Sequence, residues 1–139
     1  MSTRFEQRRS EYEKAVQALE EVALLLQEYA SGDQRLQKAL RDSLIQRFEF
    51  CYELAWKTLK LWLESKDIEA RNAKDVLREA LAQGILSDGS GWTILHENRN
   101  LTSHTYDEAQ AEQIAVFALE KGLNLFRELQ ATLKRLSGS

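Results

Sequence analysis

Most side chains in the stretch Glu97-Asn98-Arg99-Asn100-Leu101-Thr102-Ser103-His104-Thr105-Tyr106-Asp107 can donate or accept hydrogen bonds beyond what packing requires. Histidine titrates close to neutral pH and can take or give a proton, so His104 is a candidate acid or base. Arg99 offers a fixed, planar positive charge of the kind that holds a phosphate. Asn98 and Asn100 are mediocre helix formers, so propensity does not account for them. A plainer explanation stands beside this one. His104 can be a helix-end cation facing carbonyls, Arg99 can bridge to Glu97 or to a helix end, and Tyr106 can be a packed phenol with its hydroxyl in water. His96, one turn before Asn100, lines the same cleft or is a surface histidine. Two histidines eight apart, with Cys51 inside an apolar stripe, do not make a zinc set, so no metal and no cofactor is expected.

The elements that must position these residues are helices. Phe5, Tyr12, Ala15, Leu19, Val22, Leu26 and Tyr29 form one stripe over roughly 3–30, and Ser31-Gly32-Asp33 ends that helix. A second helix, roughly 34–66, carries two adjacent stripes, Leu40, Leu44, Phe48, Cys51, Ala55, Leu59 and Trp62 beside Ile45, Tyr52, Trp56 and Leu63. It is apolar over most of its circumference and belongs at the centre. Its narrow polar line holds Gln46, Glu49, Glu53, Lys57, Lys60 and Glu64, with Glu53–Lys57 and Lys60–Glu64 spaced as surface pairs. Arg47 beside that line is expected to pair with a carboxylate, and Cys51 to be a small buried residue. Asn72 with Asp75 caps a third helix, which Gly84 ends in a left-handed cap. Residues 87–91 read as a flexible loop before a short helix over about 92–103. Thr105 with Glu108 reads as a capping box that starts a last helix near Tyr106 and runs it to about Leu136. These elements, three long and two short, predict an all-α, antiparallel up-and-down four- to five-helix bundle, one domain over residues 1–139.

Composition narrows the function. The 139 residues hold no proline and only 6 glycines, which leaves few places to turn and excludes a many-stranded β architecture. A net charge of −3 excludes a broadly basic nucleic-acid coat, so any polyanion site is small and local. One cysteine forms no internal disulfide, Met1-Ser2-Thr3-Arg4 is no signal peptide, and no uncharged apolar run is long enough for a membrane span. A cytoplasmic protein without membrane contact is expected. Tyr12, Phe50, Trp62 and Phe117 exceed the aromatic surface that one small bundle readily covers, which suggests a two-fold homodimer.

Arg99 to His104 is an Arg-x4-His element with a polar residue directly after the arginine and Tyr106 two places beyond the histidine. Together with Gln46-Arg47-Phe48-Glu49-Phe50-Cys51-Tyr52-Glu53-Leu54-Ala55-Trp56-Lys57-Thr58-Leu59-Lys60, it resembles the HEPN superfamily. The chain is most similar there to the HepT-like proteins, also called nucleotidyltransferase substrate-binding proteins. Arg78-Glu79-Ala80, Gly84-Ile85 and Trp92 keep the family's order, although Ala70-Arg71-Asn72 stands where Ser-Pro-Arg is usual.

The resemblance implies a helical subunit that works with a cognate minimal nucleotidyltransferase, in some pairs as toxin and antitoxin. Active members are metal-independent endoribonucleases whose Arg-x4-His elements meet across a two-fold dimer, and the transferase silences them by attaching AMP to the tyrosine after the histidine. Carried over, the catalytic roles fall on Arg99, Asn100 and His104, the modification on Tyr106, and the cleft on His96 and Ser103. Cutting RNA without metal needs one group to deprotonate the 2′-hydroxyl and another to protonate the leaving oxygen, duties that two His104 imidazoles can share. Arg99 would steady the pentacovalent phosphate, and Asn100 would orient His104 if the helix extends that far. The alternatives are a non-catalytic substrate- or nucleotide-binding subunit of a two-component nucleotidyltransferase, or a dimerisation scaffold.

Overall fold

The computed structural model describes residues 3–137, and 84% of it is helical. Helix α1 (Thr3–Glu28) and helix α2 (Gln34–Ser65) are separated by only a short turn, which forces them to lie antiparallel. Asp33 closes that turn as the N-cap of α2, accepting from the Arg35 N–H at 2.8 Å. Tyr29 therefore leaves the inner stripe. It falls past the end of α1 and is 46% exposed.

Helix α2 is the centre of the bundle, packing against the first, third and fourth helices and against the last helical run. Both of its apolar stripes are buried except at Leu40 and Trp56, which are half-buried. Phe48 stacks tilted on Phe126 at 5.8 Å and meets Phe117 edge-on at 6.2 Å, and Trp92 meets Phe126 edge-on at 6.0 Å. Tyr12 and Trp62 also lie inside this one bundle, contrary to expectation. The Tyr12 hydroxyl, which burial would otherwise strand, donates to the Phe126 carbonyl at 2.7 Å. Phe117 is half-buried, so of the four aromatics only Phe50, 59% exposed, remains as uncovered surface. Arg47 likewise meets no carboxylate among the described residues. Its Nη1 donates to the Ala18 carbonyl at 2.7 Å and ties α2 to α1.

Helix α3 (Ala73–Ala82) starts as its sequence suggests, with the Asn72 side chain accepting from the Asp75 N–H at 2.9 Å. It ends at Gly84, whose φ of 75° is the left-handed conformation that lets the Ile85 N–H return to the Ala80 carbonyl at 2.9 Å. Residues 87–91 are not a free loop. Asp88 caps helix α4 (Gly89–Leu101) by accepting from the Gly91 N–H at 2.8 Å, and this draws both glycines into the first turn.

The last run is α5 (Glu108–Phe117), a π-helical segment (Ala118–Gly122) and α6 (Leu123–Ser137) in unbroken succession. The wider turn was not legible in the spacing of apolar residues. Gly122 sits where a Cβ would be 3.1 Å from Cε1 of Phe48, so the missing side chain lets the helix close on that ring. Near its start, Glu108 accepts from Arg41 at 2.9 Å and pairs with Lys38 at 3.0 Å, joining α5 to α2.

Both contacts can be tested by stability. Gly122→Val inserts atoms against a fully enclosed Phe48 ring and should cost about 1–3 kcal/mol in urea unfolding, as overpacking does. The Arg41 guanidinium and the Lys38 ammonium hold the Glu108 carboxyl down at about 2, from 4.5. A carboxyl lowered by folding stabilises above its unfolded value and loses that effect as pH falls through the folded one. Glu108→Gln should therefore lower Tm slightly at neutral pH, with the gap closing between 4.5 and about 2.

Candidate functional site

The polar stretch makes a corner between α4 and α5. After Leu101 the α-helix tightens into a single 3₁₀ turn, Thr102–His104. The Asp107 carboxylate then accepts from the N–H groups of Ala109 and Gln110, at 2.9 and 3.2 Å, and starts α5 at Glu108. Asp107, not Thr105, is the cap, because an ionised carboxylate at the right step outcompetes the hydroxyl for those donors. Tyr106 consequently stands outside any helix and is 83% exposed.

Two carboxylates of α2 hold this corner. Arg99 donates from Nη2 and Nε to Oε1 of Glu53, at 3.0 and 3.3 Å, with both side chains about one-third exposed. The other oxygen, Oε2, accepts from the Trp56 indole N–H at 3.2 Å. Glu53 therefore faces Arg99 rather than Lys57, and Arg99 bridges to another helix rather than to Glu97. One turn earlier, the buried Thr102 hydroxyl lies 2.5 Å from Oε2 of Glu49 and 2.7 Å from the Arg99 carbonyl. A hydroxyl has one proton, and the carboxylate is its stronger acceptor. Glu49 and Glu53 were visible as part of the polar line, but nothing in their spacing identified Arg99 and Thr102 as partners.

His104 is exposed, its ring meeting the Tyr106 ring edge-on at 6.0 Å. Ser103 is exposed beside it and donates to the Asn100 carbonyl at 3.4 Å. The α-helix stops before His104, and the Asn100 side chain forms no hydrogen bond among the described residues. Asn98 is the buried amide, donating to the Ile94 carbonyl at 2.9 Å while its Oδ1 has no partner among the described residues.

His96 is half-buried, with Nδ1 2.5 Å from the Tyr52 hydroxyl. Burial raises the Tyr52 hydroxyl to about 12, so it keeps its proton. Burial, aided by Lys74 and Arg99, lowers His96, and its Nδ1 shares one hydrogen bond with the Tyr52 hydroxyl, which leaves Nε2 outside that bond. Among the described residues no three His, Cys, Asp or Glu side chains converge as metal ligands.

The fold and this corner define an all-helical bundle whose central helix presents a polar, aromatic-edged groove. The chain belongs to the family described as nucleotidyltransferase substrate binding protein like, whose model matches residues 7–135. A "probable ribonuclease HepT" of Haemophilus influenzae is 44% identical over 88 residues, 60% of this chain, and the chain spans 59% of that relative's length. A solved Haemophilus influenzae structure, described as revealing the fold of a substrate binding domain of a nucleotidyltransferase, superposes with a TM-score of 0.80 at 31% identity. That match covers 91% of this chain and 98% of the other. A crystal structure from Thermus thermophilus matches with a TM-score of 0.75 at 33% identity, covering 89% of this chain and 99% of the other. No helix among the described residues is long and apolar enough to cross a membrane.

The setting of His96 gives a direct test by NMR titration. His96 should titrate below 6.5, and Lys74→Ala should raise it, since removing that cation relieves part of the cost of charging the ring. Because folding lowers this histidine, it stabilises above 6.5 and loses that effect as pH falls through the folded value.

Proposed function

We propose that this chain is the helical partner subunit of a minimal nucleotidyltransferase. In this reading two copies form a metal-independent endoribonuclease, a toxin that its cognate transferase neutralises by AMP transfer. The observation that supports this best is the corner itself: an exposed imidazole, an exposed phenol 6.0 Å from it, and a guanidinium held in place by Glu53. A surface loop with no function has no need to fix its arginine while leaving its histidine bare.

One chain brings one motif histidine, so cleavage requires a second copy. The exposed Phe50 lies on α2 between Glu49 and Glu53, where an apolar contact across a two-fold axis would bring two corners together. One His104 takes the proton of the RNA 2′-hydroxyl, and the 2′-oxygen attacks the neighbouring phosphorus. The other His104 gives a proton to the departing 5′-oxygen, leaving a 2′,3′-cyclic phosphate. Arg99 exchanges part of its bond to Glu53 for the phosphate oxygens, which carry the growing charge. In the silencing step the Tyr106 oxygen attacks the α-phosphorus of ATP, pyrophosphate leaves, and the phenolic proton passes to solvent. The resulting phosphodiester and purine would stand over His104 and shut RNA out.

A second reading, a subunit that only holds substrate for the transferase, is favoured by the description of the Haemophilus influenzae structure. Cleavage assays separate the two. Purified protein in excess chelator should cut RNA to 2′,3′-cyclic phosphate ends, and His104→Ala should slow this at least about 100-fold. Incubation with the transferase and ATP should add AMP, and Tyr106→Phe should prevent it. An unmodified, dimeric protein that never cuts RNA would leave the substrate-holding subunit or the dimerisation scaffold.

A further inference from the structure

Between α3 and α4, on the α4 face that leads to Arg99, lies a cleft of about 250 Å³ that the cleavage chemistry does not use. We propose that it is a nucleotide site, taking a nucleobase into its apolar floor and the attached phosphate onto its cationic rim. The floor is Leu77, Leu81 and Trp92, with Trp92 and Leu77 buried. The rim carries Lys74 and Arg78. Lys74 forms no ion pair among the described residues, although it is close enough to act electrostatically on His96. Arg78 spends one N–H on Asp75 at 2.7 Å and keeps its other donors.

The end wall makes the choice of ligand sharper. With Nδ1 of His96 committed to the Tyr52 hydroxyl, the opposite nitrogen of the ring, Nε2, is left to hydrogen-bond a polar atom of a ligand in the cleft. Thr93, on the same wall, donates its hydroxyl proton to the Gly89 carbonyl at 2.8 Å, which leaves its oxygen free to accept. A free ring nitrogen, a free hydroxyl oxygen, an apolar floor and two cationic side chains on the rim suit a heteroaromatic ring joined to an anion. Inorganic phosphate would leave the floor bare, and a plain hydrocarbon would leave the cations unanswered. At about 250 Å³ the cleft is smaller than the roughly 300–1,000 Å³ of sites for drug-sized ligands, so it would enclose the base and leave the phosphate at the rim.

The same chemistry arrives either as a free mononucleotide or as one residue of an RNA strand. His96 and Arg99 are three residues apart on α4, about 4.5 Å of rise, so a strand lying over Arg99 passes the mouth of the cleft. The strand-borne case alone rests on the ribonuclease reading.

Calorimetry with the full chain tests the site, using AMP, adenosine and inorganic phosphate as probes. AMP should bind once per chain, and adenosine and phosphate at least about tenfold more weakly. Lys74→Glu reverses a rim charge and Thr93→Phe fills the cleft; each change should weaken AMP at least about tenfold. No AMP binding at about 10 mM, or AMP binding that neither variant alters, would overturn the proposal. His104→Ala, which lies outside the cleft, should bind AMP as the parent does even if the parent cuts no RNA, so failure of the ribonuclease reading leaves its own distinct signature. A short single-stranded RNA titrated into His104→Ala separates the sources. Loss of RNA affinity on adding Thr93→Phe identifies a strand-borne nucleotide, and unchanged RNA affinity with lost AMP affinity identifies a free one.

Discussion

Everything at the corner depends on two carboxylates one helical turn apart on α2, Glu49 and Glu53. They hold Thr102 and Arg99, the residues on either side of the point where α4 gives way to the 3₁₀ turn. Without them Arg99 would be a mobile side chain in water, and the Thr102 hydroxyl would turn to the Arg99 carbonyl alone. With them, Arg99 has a fixed direction and the chain leaves α4 along a defined path toward His104. The arrangement also sets a competition. A phosphate that reaches Arg99 must share it with Glu53, so the guanidinium is kept ordered in the absence of ligand yet remains one-third exposed and able to exchange partners.

The surrounding fold explains why the corner is where it is. A buried α2 fixes the position of its polar line, since rotating the helix would drag Phe48, Leu59 or Leu63 out of the core. Arg41 and Lys38 on the same helix fasten Glu108 at the start of α5, so the corner is anchored on both sides by one rigid element. Asp107 supplies the cap between them, and the residues from Ser103 to Tyr106 are left as a short projecting segment. The exposure of His104 and Tyr106 is thus a consequence of where the two helices are pinned.

The bundle was legible because its helices bury continuous stripes, and the periodicity of Leu44, Phe48, Cys51, Ala55 and Leu59 has one sensible reading. Local signals were also legible where the partner is close in sequence, as at Asn72 and Gly84. The errors arose where the partner is distant or where two local signals compete. Glu53 chose Arg99, 46 residues away, over Lys57. Arg47 chose a carbonyl of α1, and Tyr12 and Trp62, which their stripes already turned inward, are covered within the one bundle and leave no aromatic surface of their own for a second copy. At the start of α5 Asp107 displaced Thr105, and at Asp88 a cap turned a glycine-rich segment into the first turn of a helix. The Arg-x4-His element could be picked out, but its two acidic supports could not.

The proposed cleavage requires that two copies of this corner meet across a two-fold axis. Pulsed dipolar spectroscopy on Ser103→Cys carrying a spin label measures this directly, since Ser103 is exposed beside His104 while burial pushes the Cys51 thiol up to about 12 and keeps it unreactive. Convergence of the corners gives one narrow inter-label distance, far shorter than the roughly 48 Å length of α2. An absence of dipolar coupling, or distances only as long as that helix, would contradict it.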